Sequence, residues 1–232
     1  MEWETPRAHS AAVDARAAQQ ASAAFMSRVY RWMFLGLAIT GVTAMATASS
    51  ELAVGLVARG YVFWVLGMVG FTWAVSASLP RLSASAAGAL FIAYSGFLGF
   101  VLSVIFLVYQ LGSIGRVFFL TAGVFGALSL YGTITKKDLS AWATFLFIGF
   151  WGVFGAAMIN LFWPNGMLSF VAACMGVIVF AGLAAYDTQK LRALGAVAGG
   201  GTASLAVTGA LHLYLDFINL FLSLLRLFGR RR

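Results

Sequence analysis

Two aspartates lie inside long apolar stretches, where a charged side chain is costly. The chain has seven acidic residues, and Asp187 and Asp216 are the two that fall within such stretches. An aspartate near the middle of a membrane-spanning helix costs roughly 2.5 to 3.5 kcal/mol on insertion scales. A whole protein has a net stability of about 5 to 15 kcal/mol, so two such residues are a substantial penalty. They therefore predict a functional site that faces an interior cavity.

The two carboxyl groups are predicted to lie at similar depths. With 1.5 Å of rise per residue, Asp187 is about 10 Å from the end of a helix that runs to Leu194. Asp216 is about 16 Å from the same membrane face if its helix starts near Leu205. Two carboxyl groups in contact cannot both be ionised easily, so we expect them to share a proton near neutrality. Such a pair can sense pH, and it can also offer oxygen ligands to Ca²⁺, for which protons would compete.

A polar stripe runs along the helix that contains Asp216. Its members recur at intervals of three and four residues, which places them within an arc of roughly 80°. They are Thr208, His212, Asp216, Asn219, Ser223 and Arg226. In a lipid environment this stripe is expected to face the bundle interior and to line an aqueous or ion-accessible path.

Simpler structural roles are also open for these residues. They are an ion pair of Asp187 with Lys190, a hydrogen bond between His212 and Asp216, backbone hydrogen bonds of Asn219 and Ser223, and an interfacial position for Arg226. Asp216 is the residue that such roles explain least well.

The composition predicts the architecture that must position these groups. Apolar residues make up 62% of the chain and charged residues 9%, against roughly 25% charged in a soluble domain. The apolar residues form continuous blocks of about 20, as in transmembrane helices, whereas a β-barrel would show alternating segments of about 10. We therefore predict an all-α integral membrane bundle of seven transmembrane helices.

Seven spans and one membrane domain can be drawn. The predicted spans are residues 29–48, 61–79, 84–109, 116–134, 139–162, 168–194 and 205–228. A polar N-terminal tail at residues 1–24 precedes a transmembrane domain at residues 25–232, and residues 195–202 form a glycine-rich, flexible linker. Small residues at short spacings within spans let helices approach closely. The glycines with such spacings are Gly96, Gly99, Gly123, Gly126, Gly149, Gly152 and Gly155.

The net charge of +8 is best explained by membrane topology. Basic residues cluster at the ends of spans, where they set orientation and contact anionic lipid, so nucleic acid is not an expected partner. With the N-terminus inside, most basic residues are cytoplasmic, and Arg59 and Arg116 are external. An odd number of spans places Arg226 and residues 230–232 outside, unless the last segment does not cross fully. Cys174 is the single cysteine, which excludes disulfides within the chain.

Four stretches carry a resemblance to a known family. They are residues 135–140 (TKKDLS), 185–189 (AYDTQ), 213–221 (LYLDFINLF) and 224–229 (LLRLFG). On these residues the chain resembles the Bax inhibitor-1 (transmembrane BAX inhibitor motif) family from about Phe25 onward. The resemblance implies six helices around a central seventh helix and a pH-sensitive Ca²⁺ leak. It also implies that Asp187 and Asp216 are the family's paired aspartates. A basic latch residue near the end of the second helix is implied too, and Arg81, which follows Pro80, is the nearest candidate.

Several functions are compatible with two intramembrane aspartates. The favoured one is a pH-sensitive calcium leak channel without enzymatic activity or bound cofactor, whose partners are lipid, Ca²⁺ and protons. The alternative is a non-transporting regulator that binds another membrane protein complex. An intramembrane aspartyl protease is disfavoured because its Gly-x-Gly-Asp and Pro-Ala-Leu motifs are absent. A retinal protein is excluded because no lysine lies in mid-membrane. The alanine- and glycine-rich composition favours a multi-pass protein of the bacterial inner membrane.

Overall fold

The computed structural model of the protein describes residues 5–197 and 203–232. For residues 5–13 and 15 it describes the helical backbone alone. Glu2 and Glu4 of the predicted tail, and residues 198–202 of the predicted linker, lie outside the described residues.

Nine α-helices and two short 3-10 turns make up the described part of the chain. The helices are α1 (Thr5–Ala48), α2 (Glu51–Arg59), α3 (Tyr61–Ser78), α4 (Ala84–Leu102), α5 (Ile105–Val108), α6 (Leu111–Ile134), α7 (Ala143–Phe162), α8 (Gly166–Val197) and α9 (Ala203–Phe228). The 3-10 turns are Leu79–Arg81 and Leu139–Trp142. Seven helices, all but α2 and α5, are long and apolar enough to cross a membrane. The predicted seven-helix membrane bundle is therefore confirmed.

Capping side chains and prolines set several helix boundaries. The Ser83 hydroxyl accepts a hydrogen bond from the backbone N–H of Ala86 at the start of α4. The Asn165 side chain accepts one from the N–H of Leu168 at the start of α8. Both bonds satisfy N–H groups that lack a partner within the helix. Pro80 and Pro164 have no N–H to donate, and the helices end before them.

Several helix boundaries differ from those predicted, and α6 begins at Leu111 instead of Arg116. α1 begins at Thr5 instead of near residue 29, because the alanine-rich segment before the first span has high helix propensity and continues the helix. The third span is interrupted after Leu102, where the N–H of Ser103 bonds the carbonyl of Phe100 and tightens the last turn. Gly195, predicted to lie in the linker, belongs to α8 and packs against the Phe25 side chain.

The seventh span, α9, is the most buried helix of the bundle. Sixteen of its twenty-six residues are buried, whereas Leu146 is the single buried residue of α7. α9 contacts α1, α4, α6 and α8, and α3 and α7 pack on α4 and α8 respectively. Tyr214 illustrates its environment, since its hydroxyl bonds the Thr40 hydroxyl of α1 at 2.5 Å and its ring contacts Tyr94 of α4. The fold therefore holds Asp216 on an interior helix.

Close helix contacts occur at two of the glycines that the sequence spacing singled out. A Cβ atom at Gly99 would lie 2.5 Å from the Thr40 carbonyl oxygen, and one at Gly149 would lie 2.6 Å from a side chain of α8. Glycine spacing does not specify which face of a helix meets a neighbour, so the expectation is wrong for the other five. Open space surrounds Gly96, Gly123, Gly126, Gly152 and Gly155. A tight approach that the spacing did not predict occurs at Gly132, where a Cβ would collide with the Ala185 carbonyl oxygen of α8.

The end of α9 shows that the seventh segment crosses the whole bundle. The backbone N–H of Gln110, between the third and fourth spans, donates to the carbonyl of Arg230 at 3.0 Å. That connection lies at the opposite end of α6 from the loop at residues 135–138. The segment after α9 is thus at the same end as Arg59 and Arg116. Of the two alternatives left open by the sequence, full crossing is the one observed.

Candidate functional site

Asp187 on α8 and Asp216 on α9 meet inside the bundle. Their carboxyl groups lie within hydrogen-bonding distance of each other. Asp216 is 6% exposed, and its Oδ2 atom accepts no hydrogen bond from any described residue. One shared proton lets two carboxyl groups form a hydrogen bond, whereas its loss leaves two negative charges in contact in a medium of low dielectric constant. The pair therefore has two states, one attractive and one repulsive.

His212 approaches the outer member of this pair. Its Nδ1 atom is 4.0 Å from Asp187 Oδ2, and the His212 side chain is 45% exposed while that of Asp187 is 16% exposed. Within the described residues His212 forms no hydrogen bond with Asp216, so that structural role is not the one adopted. The exposed fraction is largest for His212, smaller for Asp187 and smallest for Asp216. The three side chains form a path from the accessible edge of α9 to its buried face.

Lys190 does not neutralise Asp187 by the ion pair that the sequence left open. The Lys190 ammonium lies 5.7 Å from the centre of the Tyr186 ring, as in a cation–π contact. In the part of the chain that the structure describes, the single contact within 4.0 Å between a basic and an acidic side chain is that of His212 with Asp187. The Asp187 carboxyl is therefore available to Asp216.

The other residues of the polar stripe bond within their own helix. The side chains of Thr208, Asn219 and Ser223 each donate to the backbone carbonyl four residues earlier, at 3.1, 2.8 and 2.8 Å. Ser223 is buried against Gly176 of α8, while Thr208 and Asn219 are half-buried and Arg226 is exposed. The backbone-bonding role is thus the one observed for Asn219 and Ser223. Each hydroxyl or amide keeps acceptor capacity for a further partner.

Three side chains of the polar stripe lie on the sector of α9 that its neighbouring helices leave partly uncovered. α9 is covered by α1, α4, α6 and α8, and its uncovered sector carries Thr208, His212 and Asn219. α3 and α7, which pack on α4 and α8, contact each other through Trp73 and Trp151, whose ring centres are 5.8 Å apart. The aspartate pair lies between α8 and α9, next to the partly exposed His212 side chain.

Known proteins match the chain along most of its length. The family described as "Inhibitor of apoptosis-promoting Bax1" matches residues 22–232. The chain belongs to the Bax inhibitor-1 family. The resemblance inferred from the four sequence stretches is therefore confirmed.

Curated relatives of this family come from distant bacteria. The "Inner membrane protein YbhL" of Escherichia coli strain K12 is 42% identical over 215 residues, which cover 90% of this chain and 92% of the relative. An uncharacterized protein of Deinococcus radiodurans is 40% identical over 209 residues, covering 89% and 90%. One of Borreliella burgdorferi is 37% identical over 214 residues, covering 90% and 92%. With seven membrane-spanning helices, the chain is a multi-pass bacterial inner-membrane protein, as the sequence predicted.

Two of the stretches that carry the family resemblance are joined by Gln189. Its Oε1 atom accepts a hydrogen bond from the N–H of Leu139, and its Nε2 donates to the carbonyl of Lys137, both at 2.9 Å. Within the loop, Asp138 Oδ1 accepts from the N–H of Ser140, and these hydrogen bonds hold the pKa of Asp138 below its usual value. The loop is therefore fixed to α8 two residues from Asp187. Sequence reasoning quoted both stretches but did not predict this contact.

Replacing Gln189 by leucine should loosen this junction. Each hydrogen bond contributes about 1 kcal/mol net, so Gln189→Leu is expected to lower the free energy of unfolding by about 2 kcal/mol. Thermal unfolding of the purified protein in detergent measures the effect. Gln20→Leu, on an exposed part of α1, is the matched control and should change stability by less than about 0.5 kcal/mol. Equal melting temperatures for the two variants would contradict the role assigned to Gln189.

The structure does not bring Arg81 to the aspartate pair. Arg81 is exposed on the Leu79–Arg81 turn, and it forms no ion pair with Asp187 or Asp216 within the described residues. The turn itself is fixed to the start of α9, because the Ser204 hydroxyl donates to the Leu79 carbonyl at 2.9 Å. Its position follows from Pro80, which ends α3 before the basic residue. A latch at Arg81 is thus not part of the conformation seen.

Proposed function

We propose that the protein is a pH-sensitive calcium leak channel of the bacterial inner membrane, gated by the Asp187–Asp216 pair and without enzymatic activity. The observation that carries the proposal is the direct contact of two carboxyl groups inside a membrane bundle. A charged group in this position is costly, and intramembrane acids of this kind are characteristic of ion and proton pathways.

The proton count of the pair sets its affinity for cations. In the singly protonated state the two carboxyl groups form a hydrogen bond through the shared proton, so fewer of their oxygens are free to bind a cation. In the fully ionised state they repel each other and attract a divalent cation. Protons and Ca²⁺ compete for the same oxygens, so Ca²⁺ binding should strengthen as the pH rises and weaken on acidification.

The ligand set suits a passing ion better than a stored one. The described residues contain no cluster of three or more His, Cys, Asp or Glu side chains that could bind a metal. Two carboxylates supply at most about four oxygens, and Ca²⁺ takes about six to eight. The remaining ligands of Ca²⁺ would be water and the carbonyl or hydroxyl oxygens of the polar stripe. Weak binding with retained water favours release, which conduction requires.

Flux into sealed vesicles tests the proposal. The purified full chain is reconstituted into liposomes loaded with a Ca²⁺-sensitive dye, and Ca²⁺ entry is recorded at neutral and acidic pH. We expect entry above that of protein-free vesicles, with a rate that depends on pH. In the double variant Asp187→Asn/Asp216→Asn, the rate should no longer respond to pH.

Two other results would contradict the leak. Absence of Ca²⁺ entry, together with co-purification of another membrane protein complex, would favour the non-transporting regulator. Cleavage of a transmembrane peptide that is lost in the double variant would favour a protease. An unchanged pH response in the double variant would remove the gating role from the pair even if Ca²⁺ enters.

A further inference from the structure

The segment after α9 forms a clasp on the connection between the third and fourth spans. Residues 229–232, here called the arginine clasp, pair with residues 108–113. The N–H of Arg232 donates to the Val108 carbonyl, and the N–H of Arg230 donates to the Ser113 hydroxyl, at 3.0 and 2.9 Å. Tyr109 and Arg231 form an antiparallel bridge. The clasp is thus fixed by its backbone, which leaves its side chains free to bind a ligand.

Six arginines lie at this end of the bundle, and none forms an ion pair with an acidic group in the described residues. They are Arg59, Arg116, Arg226, Arg230, Arg231 and Arg232, and all six are exposed. Glu51 is the one described acid at the same end, and it forms no ion pair within 4.0 Å in the described residues. This concentration of charge runs against the tendency of basic residues to stay on the cytoplasmic side. The positive-inside tendency therefore does not explain this concentration of charge.

Apolar side chains border the arginine clasp on the side of the membrane. Leu107, Val108, Leu111 and Phe228 are 43%, 40%, 57% and 61% exposed. Leu107 and Val108 end the third span, and Leu111 and Phe228 lie at the ends of α6 and α9, so these side chains are placed to face lipid tails. A row of guanidinium groups directly beyond an apolar belt lies at the depth of the phosphate groups of the bilayer.

From this juxtaposition we propose that the arginine clasp binds the phosphate headgroups of anionic phospholipids in the leaflet at this end of the bundle. A planar guanidinium donates two parallel hydrogen bonds to a phosphate, and the backbone pairing fixes the main chain of the three residues that carry such groups. Arginines on a fixed backbone lose less entropy on binding than those of a free tail would. The proposal does not depend on ion conduction.

Retention of lipid by the purified protein tests the proposal. The full chain is extracted from nanodiscs of phosphatidylcholine with a minority of phosphatidylglycerol, and bound lipid is counted by native mass spectrometry. The variant Arg230→Gln/Arg231→Gln/Arg232→Gln keeps every backbone hydrogen bond of the clasp and loses three charges. We expect its apparent affinity for phosphatidylglycerol to fall by at least about tenfold, with phosphatidylcholine retention unchanged.

A control variant separates the clasp from net charge. Arg31→Gln/Lys136→Gln/Lys137→Gln removes the same three charges at the other end of the bundle and should retain phosphatidylglycerol within about twofold of the wild type. Equal lipid retention by the wild type and the clasp variant would overturn the proposal, as would an equal loss in both variants. A variant with lysines at the three clasp positions should recover part of the affinity, because charge is kept while the bidentate geometry is lost.

Discussion

Asp216→Asn is expected to abolish the pH response of Ca²⁺ flux while the bundle stays folded. The amide matches the carboxyl group in size, but it neither takes up nor loses a proton near neutral pH. Asp187 then has no carboxyl partner with which to share a proton, and the pair loses its repulsive state. The ratio of flux at neutral pH to flux at acidic pH should therefore approach one, measured in the dye-loaded liposomes described above.

Asp138→Asn is the matched control for this substitution. Asp138 is an exposed acid in the loop next to the site, and its Oδ1 accepts a hydrogen bond from Ser140 that an asparagine can also accept. The pH ratio of flux should stay at the wild-type value. If Asp138→Asn changed the ratio as much as Asp216→Asn, surface charge and not the buried pair would set the pH response.

The thermal stability of Asp216→Asn provides a second test that does not depend on ion flux. Asp216 is buried with one oxygen atom that accepts no hydrogen bond from a described residue, so its ionised form is poorly compensated. An amide in its place carries no charge to bury. The melting temperature of Asp216→Asn should therefore equal or exceed that of the wild type at neutral pH. A collapse of stability would mean that the carboxylate has a structural partner, which the gating proposal does not include.

The aspartate pair and the seven spans could be predicted because each follows from the cost of polar groups in lipid. Continuous apolar blocks indicate spanning helices, since an unsatisfied backbone is not tolerated in the hydrocarbon region. The same cost made Asp187 and Asp216 conspicuous. The helical rise per residue then predicted similar depths in the membrane for the two aspartates, and in the structure their carboxyl groups are in contact.

Contacts between different helices could not be predicted in the same way. His212 lies one helical turn from Asp216, so its own helix suggested that partner, yet α8 presents Asp187 to it instead. Gln189 bonds a loop fifty residues away, and the arginine clasp pairs with residues more than a hundred positions earlier. Helical periodicity gives the face on which a residue lies. It does not give the rotation of that face relative to a neighbouring helix.

Gly132→Ala is expected to destabilise the bundle strongly, because the added methyl group would meet the backbone of a neighbouring helix. A Cβ atom at Gly132 would collide with the carbonyl oxygen of Ala185 and would lie 3.2 Å from its Cα. Backbone atoms cannot move aside as a flexible side chain can, so α6 and α8 would have to separate. Overpacking of this kind costs roughly 1 to 3 kcal/mol, and we expect a value near the upper end, measured by thermal unfolding in detergent.

Gly126→Ala, on the same helix, separates this contact from helix propensity. No atom lies within 4 Å of a Cβ at Gly126, so the added methyl group meets no neighbour. Its melting temperature should match or exceed that of the wild type, because alanine favours the helix over glycine by up to about 1 kcal/mol. Ala185 is two residues from Asp187, so the displacement that destabilises Gly132→Ala should also disturb the aspartate pair and alter the pH ratio of flux. Equal stability of the two alanine variants would show that α6 and α8 do not pack backbone to backbone beside the site.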